Sequence, residues 1–338
     1  MAEWRSVPDA TQAETERIRV LLDTNVWSYI AEQGSADRLR SIARDSGLEI
    51  LISPAVVFEQ LRISDPVVRR RHLEITTRGW WTRMMPEAFV ECGEFVSAVR
   101  RLRPQWLRES ASRESLARYH TNRSDWQDNF WGRSRRSPVD EARINAELAG
   151  NVPDILRVEL HERQQEYSEA NHTIESVRLD DPSIAVATEA VKGSGPRRNM
   201  DTWRFNSADS FRKNLNFWEA NSDTYKIWLE PFVDPQRVAS THDWLDFWSE
   251  IEPAEMPSEW VLWAAEVLTP LAKLNTGSPY DLQLTNYVAY ADLFVSADRR
   301  FVHLVNEIAD SAPFPIARAV RTWSEEWPET LQDIRPAI

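Results

Sequence analysis

The feature that most constrains the fold is a short apolar run that stops abruptly on an acid. Arg19-Val20-Leu21-Leu22 leads into Asp23-Thr24-Asn25-Val26-Trp27. An apolar run of this length, bounded by polar turn residues, reads as a buried parallel strand. An acid at the carboxyl end of such a strand sits where open α/β sheets place their ligands. The chemistry then recurs. Leu48-Glu49-Ile50-Leu51-Ile52 is a second strand of about 48–53, and Ser53-Pro54 opens a helix to about Ile63 that carries Glu59 one turn in. Ser278-Pro279-Tyr280-Asp281 opens another, with Ser278 as N-cap and Pro279 at the first helical position. Asp281 lies in its first turn, where the helix dipole favours an anion. That helix runs to about Ala291. Leu293-Phe294-Val295-Ser296-Ala297 is a third strand, ended by Asp298.

In order and local context, these four acids resemble the acidic quartet of the PIN-domain nucleases. The matching stretches are V-L-L-D-T-N-V at 20–26, I-S-P-A-V-V-F-E-Q-L at 52–61, P-Y-D-L-Q-L-T-N-Y-V-A-Y-A at 279–291 and D-L-F-V-S-A-D-R-R-F at 292–301. The resemblance covers roughly residues 18–63 and 278–322. It implies a three-layer α/β/α fold around a parallel sheet, and an endonuclease or ribonuclease dependent on Mg²⁺ or Mn²⁺. The product it implies has a 5′-phosphate and a 3′-hydroxyl. Many members of the family are toxins of bacterial toxin–antitoxin pairs, so the resemblance also points to a toxin or defence effector with an antitoxin or other protein partner.

The chain departs from a compact PIN domain in its middle. More than two hundred positions separate Glu59 from Asp281. The expected organisation is a discontinuous core, 18–63 and 278–322, a mostly α-helical, Trp-rich insertion at 64–277, and a tail at 323–338. Helical stretches are expected from about Val26 to Arg44 and from Asp65-Pro66 through Arg83. The insertion shows 3.6-type periodicity, few glycines and regular proline punctuation, and almost nothing in it reads as a strand. Lys192-Gly193-Ser194-Gly195-Pro196-Arg197-Arg198-Asn199 is its clearest loop. Phe314 to Val320 alternates as an edge strand would.

Hard divalent cations take oxygen ligands, and Mg²⁺ uses one or two carboxylates plus substrate phosphate. Acids from neighbouring strand ends and flanking helices can converge on one spot, and they cannot stay both close and fully ionised without a cation. Asp23 is assigned as the central ligand, Asp281 as a direct or water-mediated ligand, and Glu59 and Asp298 as outer ligands or water positioners. Asn25 and Ser296 are the candidates for holding those carboxylates, or the scissile phosphate, by hydrogen bonds. Thr24 makes local backbone bonds. Asp292 is a competing acid, but it precedes its strand and so falls at the wrong end of the sheet. No phosphate-cradling glycine loop occurs, and the six histidines lack metal-like spacing.

A net charge of −13 argues against a general nucleic-acid-binding coat. Local clusters remain: Arg69-Arg70-Arg71, Arg100-Arg101-Arg103, Arg133-Arg135-Arg136, Arg197-Arg198 and Arg299-Arg300. Most such clusters are solvated helix faces. Arg133, Arg135 and Arg136 stand out because Trp126, Phe130 and Trp131 interleave with them, and Arg299 stands out beside Asp298. The 16 tryptophans are expected mainly to fill gaps between helices. Cys92 is the sole cysteine, no secretory leader is read at Met1, and no long apolar run occurs. The expectation is a soluble, cytoplasmic protein, without membrane partners, that acts on nucleic acid (RNA ahead of DNA) and is able to self-associate. The alternative is a catalytically inactive PIN-like protein that uses its helical segment as a partner surface.

Overall fold

In the computed structural model, the described residues are 17–150, 152–173, 177, 179, 201–216, 223–239, 243–272 and 278–334. The Lys192–Asn199 loop, the Arg197-Arg198 pair and Trp218 lie outside them.

Five parallel strands form one sheet in the order β3-β2-β1-β4-β5. Strand β1 (Ile18–Leu22) is central, and its last three residues, Val20, Leu21 and Leu22, are wholly buried. It pairs on one side with β2 (Leu48–Ile52), Ile18 facing Leu48, and on the other with β4 (Leu293–Ser296), Val20 facing Leu293. Strand β5 (Arg318–Arg321) is the edge beyond β4. It begins four residues later than the alternation at Phe314 indicated, because pairing with β4 selects 318–321. The chain leaves β1 in one direction through β2 and β3, then returns to β4 and β5 on the other side. The gap between the carboxyl ends of β1 and β4 is therefore the switch point where open α/β sheets bind ligands.

The helix expected from Val26 to Arg44 is two helices, α1 (Thr24–Glu32) and α2 (Ala36–Asp45). Gly34 between them adopts φ +63°, a conformation a side chain disfavours. Helix α3 (Pro54–Leu61) follows β2, capped by Ser53 Oγ accepting from Val56 N at 3.5 Å. Helix α4 (Pro66–Thr76) ends seven residues before the expected Arg83. The Trp81 indole donates to Ile75 O at 2.8 Å, satisfying a carbonyl in its last turn, and Trp81 packs edge-on against buried Trp27 at 5.4 Å. This turns the chain into β3 (Thr82–Arg83), which pairs with Leu51 and Ile52. The sheet thus recruits a two-residue strand from the segment expected to be a mostly α-helical insertion.

After β3 the described residues up to β4 are helical apart from short connections, beginning with α5 (Glu87–Leu102). One continuous apolar core joins the sheet to these helices. Trp106, Trp131, Trp203, Trp228, Trp244, Trp248, Trp260 and Trp263 are buried in it, as the packing expectation required. Phe95 of α5 stacks on Phe211 at 4.9 Å, and Trp106 on Trp244 at 5.9 Å. The expected tail at 323–338 is not loose along its described length. The helix Trp327–Gln332 packs on α2 and buries Trp327 completely. No helix among the described residues is long and apolar enough to cross a membrane.

Candidate active site

The site assembles around Asp23, the residue after β1. Its backbone N–H extends the ladder to Val295 O at 2.9 Å, which fixes the side chain between β1 and β4. Three donors meet its carboxylate. Thr24 N reaches Oδ1 at 2.6 Å, while Asn25 Nδ2 and Ser296 Oγ both reach Oδ2 at 2.5 Å. Asn25 Oδ1 in turn accepts from Ala297 N at 2.9 Å, and Ser296 Oγ accepts from Asp298 N at 3.0 Å. Asn25 and Ser296 therefore hold Asp23 and tie the β1 turn to the β4 turn. Asp23 is 5% exposed. Burial pushes its pKa to about 7; the nearby Glu59 charge adds to the rise, while the Ser296, Thr24 and Asn25 hydrogen bonds oppose it.

Glu59 enters from α3. Burial raises its pKa, opposed by the neighbouring Thr24 hydroxyl and by the charge of Arg62. Asp281 enters from the helix Ser278–Thr285, which precedes β4. Its pKa is raised well above the usual carboxylate range, first by burial and then by Asp23, Glu59 and Asp298 together, with Arg300 opposing. Asp298 follows β4 and caps the helix Arg299–Ser311, accepting from Arg300 N at 2.7 Å and Phe301 N at 3.3 Å. Its carboxylate also meets Arg300 Nη2 at 3.4 Å. The four acids thus share one electrostatic neighbourhood at the switch point.

They are not drawn into ligand geometry. Among the described residues no three His, Cys, Asp or Glu side chains lie close enough to hold one metal ion. The donor chemistry fits a hard cation: all-oxygen, with Asp23 and Asp281 raised first by burial and then by neighbouring carboxylates whose repulsion a positive charge would relieve. The spacing does not, and an ion would have to draw the carboxylates inward.

The other expected residues separate. Asp292 pairs with Arg19, Oδ1 to Nη2 at 2.7 Å, at the start of the central strands and away from the site. Arg133 is committed to Asp125 and Glu141, the latter at 2.7 Å from its Nε, so its guanidinium is a structural cross-link and not a free phosphate grip. The aromatics around it turn inward, Trp126 and Phe130 both packing on Phe58 of α3. Arg135 and Arg136 are exposed. Arg101 and Arg103 are likewise paired, with Glu255 and with Asp243 and Glu250. Arg299 is exposed, and it is its neighbour Arg300 whose charge reaches Asp281.

Two further groups at the site escaped the sequence reading. Arg62 lies over the Tyr280 ring, Cζ 4.2 Å from the centroid, and bears on Glu59. The signal was present, since Arg62 falls three residues after Glu59 on the same helix face. The Tyr280 hydroxyl is buried and without a hydrogen-bond partner. It adjoins Asp281, and nothing in the sequence marks it apart from a core tyrosine.

No protein-family model, curated protein or solved structure matches this chain.

Proposed function

We propose that this chain is a metal-dependent endonuclease of the PIN type, acting on nucleic acid with RNA ahead of DNA. The observation that carries the reading is the electrostatic coupling of Asp281 to Asp23, Glu59 and Asp298 at the sheet's switch point. Crowded, partly buried carboxylates raise one another's pKa and tend to mark functional sites. In this reading Asp23 and Asp281 are the inner ligands, with Glu59 and Asp298 outside them. Mg²⁺ or Mn²⁺ at these acids would supply Lewis acidity toward the phosphodiester and lower the pKa of attacking water.

The chain's own groups supply orientation and charge. Three donors fix the Asp23 carboxylate, so it does not have to be ordered during the reaction. Arg62 and Arg300 flank the acids and offset their repulsion. Both are exposed, which suits contact with the phosphates on either side of the scissile bond. The test is cleavage of end-labelled single-stranded RNA and DNA in Mn²⁺. Wild type should yield 5′-phosphate and 3′-hydroxyl ends, and Asp23→Asn or Asp281→Asn should abolish cleavage with the fold kept. Full activity of purified Asp23→Asn would sink the assignment.

One observation favours a second reading. The acids do not approach closely enough to form a ready metal-ligand set. A non-catalytic PIN-like protein using its helical segment as a partner surface would need no such set. That protein would bind Mn²⁺ weakly or not at all.

A further inference from the structure

Helix α5 carries three acids on one face, Glu87, Glu91 and Glu94, spaced four and three residues apart. Glu91 is 3% exposed and Glu94 9%, although acids are almost never fully buried without partners. Their partners lie mainly on one short element, the 3₁₀ turn Asn286–Tyr290. Asn286 Nδ2 donates to Glu91 Oε1 at 2.9 Å, and the Tyr290 hydroxyl donates to Glu94 Oε1. Glu87 lies beside Tyr287 of the same turn. The remaining bonds run outward: Glu91 Oε2 accepts from the Tyr225 hydroxyl, Glu94 Oε1 accepts also from Ser258 N at 3.1 Å, and Ser258 Oγ lies 2.6 Å from Glu94 Oε2. This turn directly continues the Ser278–Thr285 helix. Thr285 Oγ1 donates to Asp281 O at 2.6 Å, which locks the last turn of that helix to the residue that bears the site carboxylate.

We propose that Glu91 and Glu94 are positioning residues for the acid site, holding the Asn286–Tyr290 turn and through it the placement of Asp281. The proposal rests on the proposed function, in which Asp281 is a metal ligand. The physical argument is leverage. Asp281 lies five residues before Asn286, so a shift or rotation of the turn is passed through about one and a half helical turns of backbone to the carboxylate. Displacements of about 1 Å at a reacting geometry are costly. Ordinary packing would fill this face of α5 with apolar side chains. Carboxyls here instead give directional bonds that select one register of the turn.

Burial favours the protonated forms of these acids. Burial pushes Glu94 up to about 8 and Glu87 to about 7, each further raised by the Glu91 charge. Glu91 is raised by burial as well. Glu259 and Glu266 on the helix Pro257–Leu268 face the same group and are also raised, burial first, and Glu266 is moderated by Arg163. Tyr225, Tyr287, Tyr290 and Cys92 complete the titratable lining, and burial raises all of them. Near neutral pH Glu94 is mostly protonated; its Oε1 still accepts from Tyr290 and Ser258 N, and its O–H can turn to Ser258 Oγ. At higher pH, ionisation sets like charges against one another beneath the turn.

The test compares wild type with Glu94→Gln, Glu94→Ala and Tyr290→Phe. It uses Mn²⁺ binding by calorimetry from pH 6.5 to 9 and hydrogen exchange across 278–290 in metal-free protein. A glutamine keeps the geometry: its Oε1 accepts from Ser258 N and Tyr290, and its amide donates to Ser258 Oγ. Wild type should lose Mn²⁺ affinity as pH passes about 8, and Glu94→Gln should lack that limb while matching wild type at pH 6.5. Tyr290→Phe and Glu94→Ala should exchange faster across 278–290 and bind Mn²⁺ about tenfold more weakly. Tyr290→Phe deletes one oxygen and serves if the alanine variant fails to fold. Unchanged exchange in Tyr290→Phe overturns the anchor whatever the metal result. Identical pH profiles in wild type and Glu94→Gln overturn it too. A wild type indifferent to Mn²⁺ at every pH instead overturns the nuclease reading, and with it any role for the anchor in catalysis.

Discussion

Ser296 Oγ donates to Asp23 Oδ2 at 2.5 Å, joining two residues 273 positions apart at the ends of adjacent parallel strands. The same hydroxyl accepts from Asp298 N, so one serine orders acids on both sides of β4. Hydrogen bonds to a charged acceptor contribute about 1.5–3 kcal/mol. Ser296→Ala removes one that favours ionised Asp23, and the Asp23 pKa should climb further. Relative to wild type at the same pH, Mn²⁺ affinity should be about tenfold weaker at pH 7 and equal at pH 9. Calorimetric titration at both values checks this, and equal losses at the two pH values would remove protonation as the cause.

Mn²⁺ should raise the melting temperature of the wild type. A ligand confined to the native state stabilises by about RT ln(1 + [L]/Kd), near 2.7 kcal/mol at a hundredfold excess over Kd. Asp23→Asn should melt at or above wild type without metal, since it relieves repulsion with Glu59 and Asp281. It should gain far less from Mn²⁺. A wild-type melting temperature unmoved at millimolar Mn²⁺, in protein shown to be metal-free, favours the non-catalytic reading.

Asp298 has two roles that substitution can separate. Asn is as good a cap as Asp, whereas Ala costs about 0.5–2 kcal/mol. Asp298→Asn should therefore keep the stability of the wild type and reduce Mn²⁺-dependent cleavage, because the charge felt by Asp281 is gone. Asp298→Ala should lose both. Thermal denaturation alongside cleavage rates decides it. If Asp298→Asn cleaves like the wild type, Asp298 is a cap alone.

Arg133 differs from Arg135 and Arg136 in its partners. Arg133→Ala breaks bonds to Asp125 and Glu141, leaving the buried Glu141 without its cation, and should lower stability with no change in substrate affinity. The double variant Arg135→Ala, Arg136→Ala should be as stable as wild type. If those exposed cations meet phosphate, its binding to single-stranded RNA should show a salt slope smaller by about one per lost contact. An unchanged slope returns them to a solvated face.

The metal-free protein should be most stable in mild acid. Asp23 is raised to about 7, Glu87 to about 7 and Glu94 to about 8, against ordinary values of 3.8, 4.5 and 4.5. Between the unfolded and folded values the native state holds protons that the unfolded chain has released. Stability therefore falls as pH rises from about 4 through about 8. Urea melts at successive pH values should show that slope, shallower in Asp23→Asn below pH 7. A metal-free protein that gains stability from pH 5 to 8 would contradict the buried, protonated acids.

Local sequence carried much of the frame. Apolar runs at Val20–Leu22, Ile50–Ile52 and Leu293–Val295 have no polar face to turn outward, so burial on both sides of a parallel sheet was their outcome. The acids at their ends were legible because strand-end position follows from the same pattern. Helix ends were less so. Gly34 splits a helix whose periodicity runs on, and Trp81 ends α4 by turning inward to a carbonyl, a choice made by the space beside Trp27. Strand β3 has two residues and exists only because β2 offers an unpaired edge.

By itself, then, the sequence determined the three apolar strands β1, β2 and β4, the acids that follow β1 and β4, and that most of the tryptophans would be core. Tertiary structure decided what those acids can feel. It placed β4 beside β1, so that Ser296 reaches Asp23 from the far end of the chain and Asp281 feels the charge of Asp23. It turned Arg133 from a phosphate candidate into a cross-link, and it set the glutamates of α5 under the turn that follows Asp281. The reason is that a side chain's solvation and charge neighbours come from residues distant in sequence, and no local pattern encodes them.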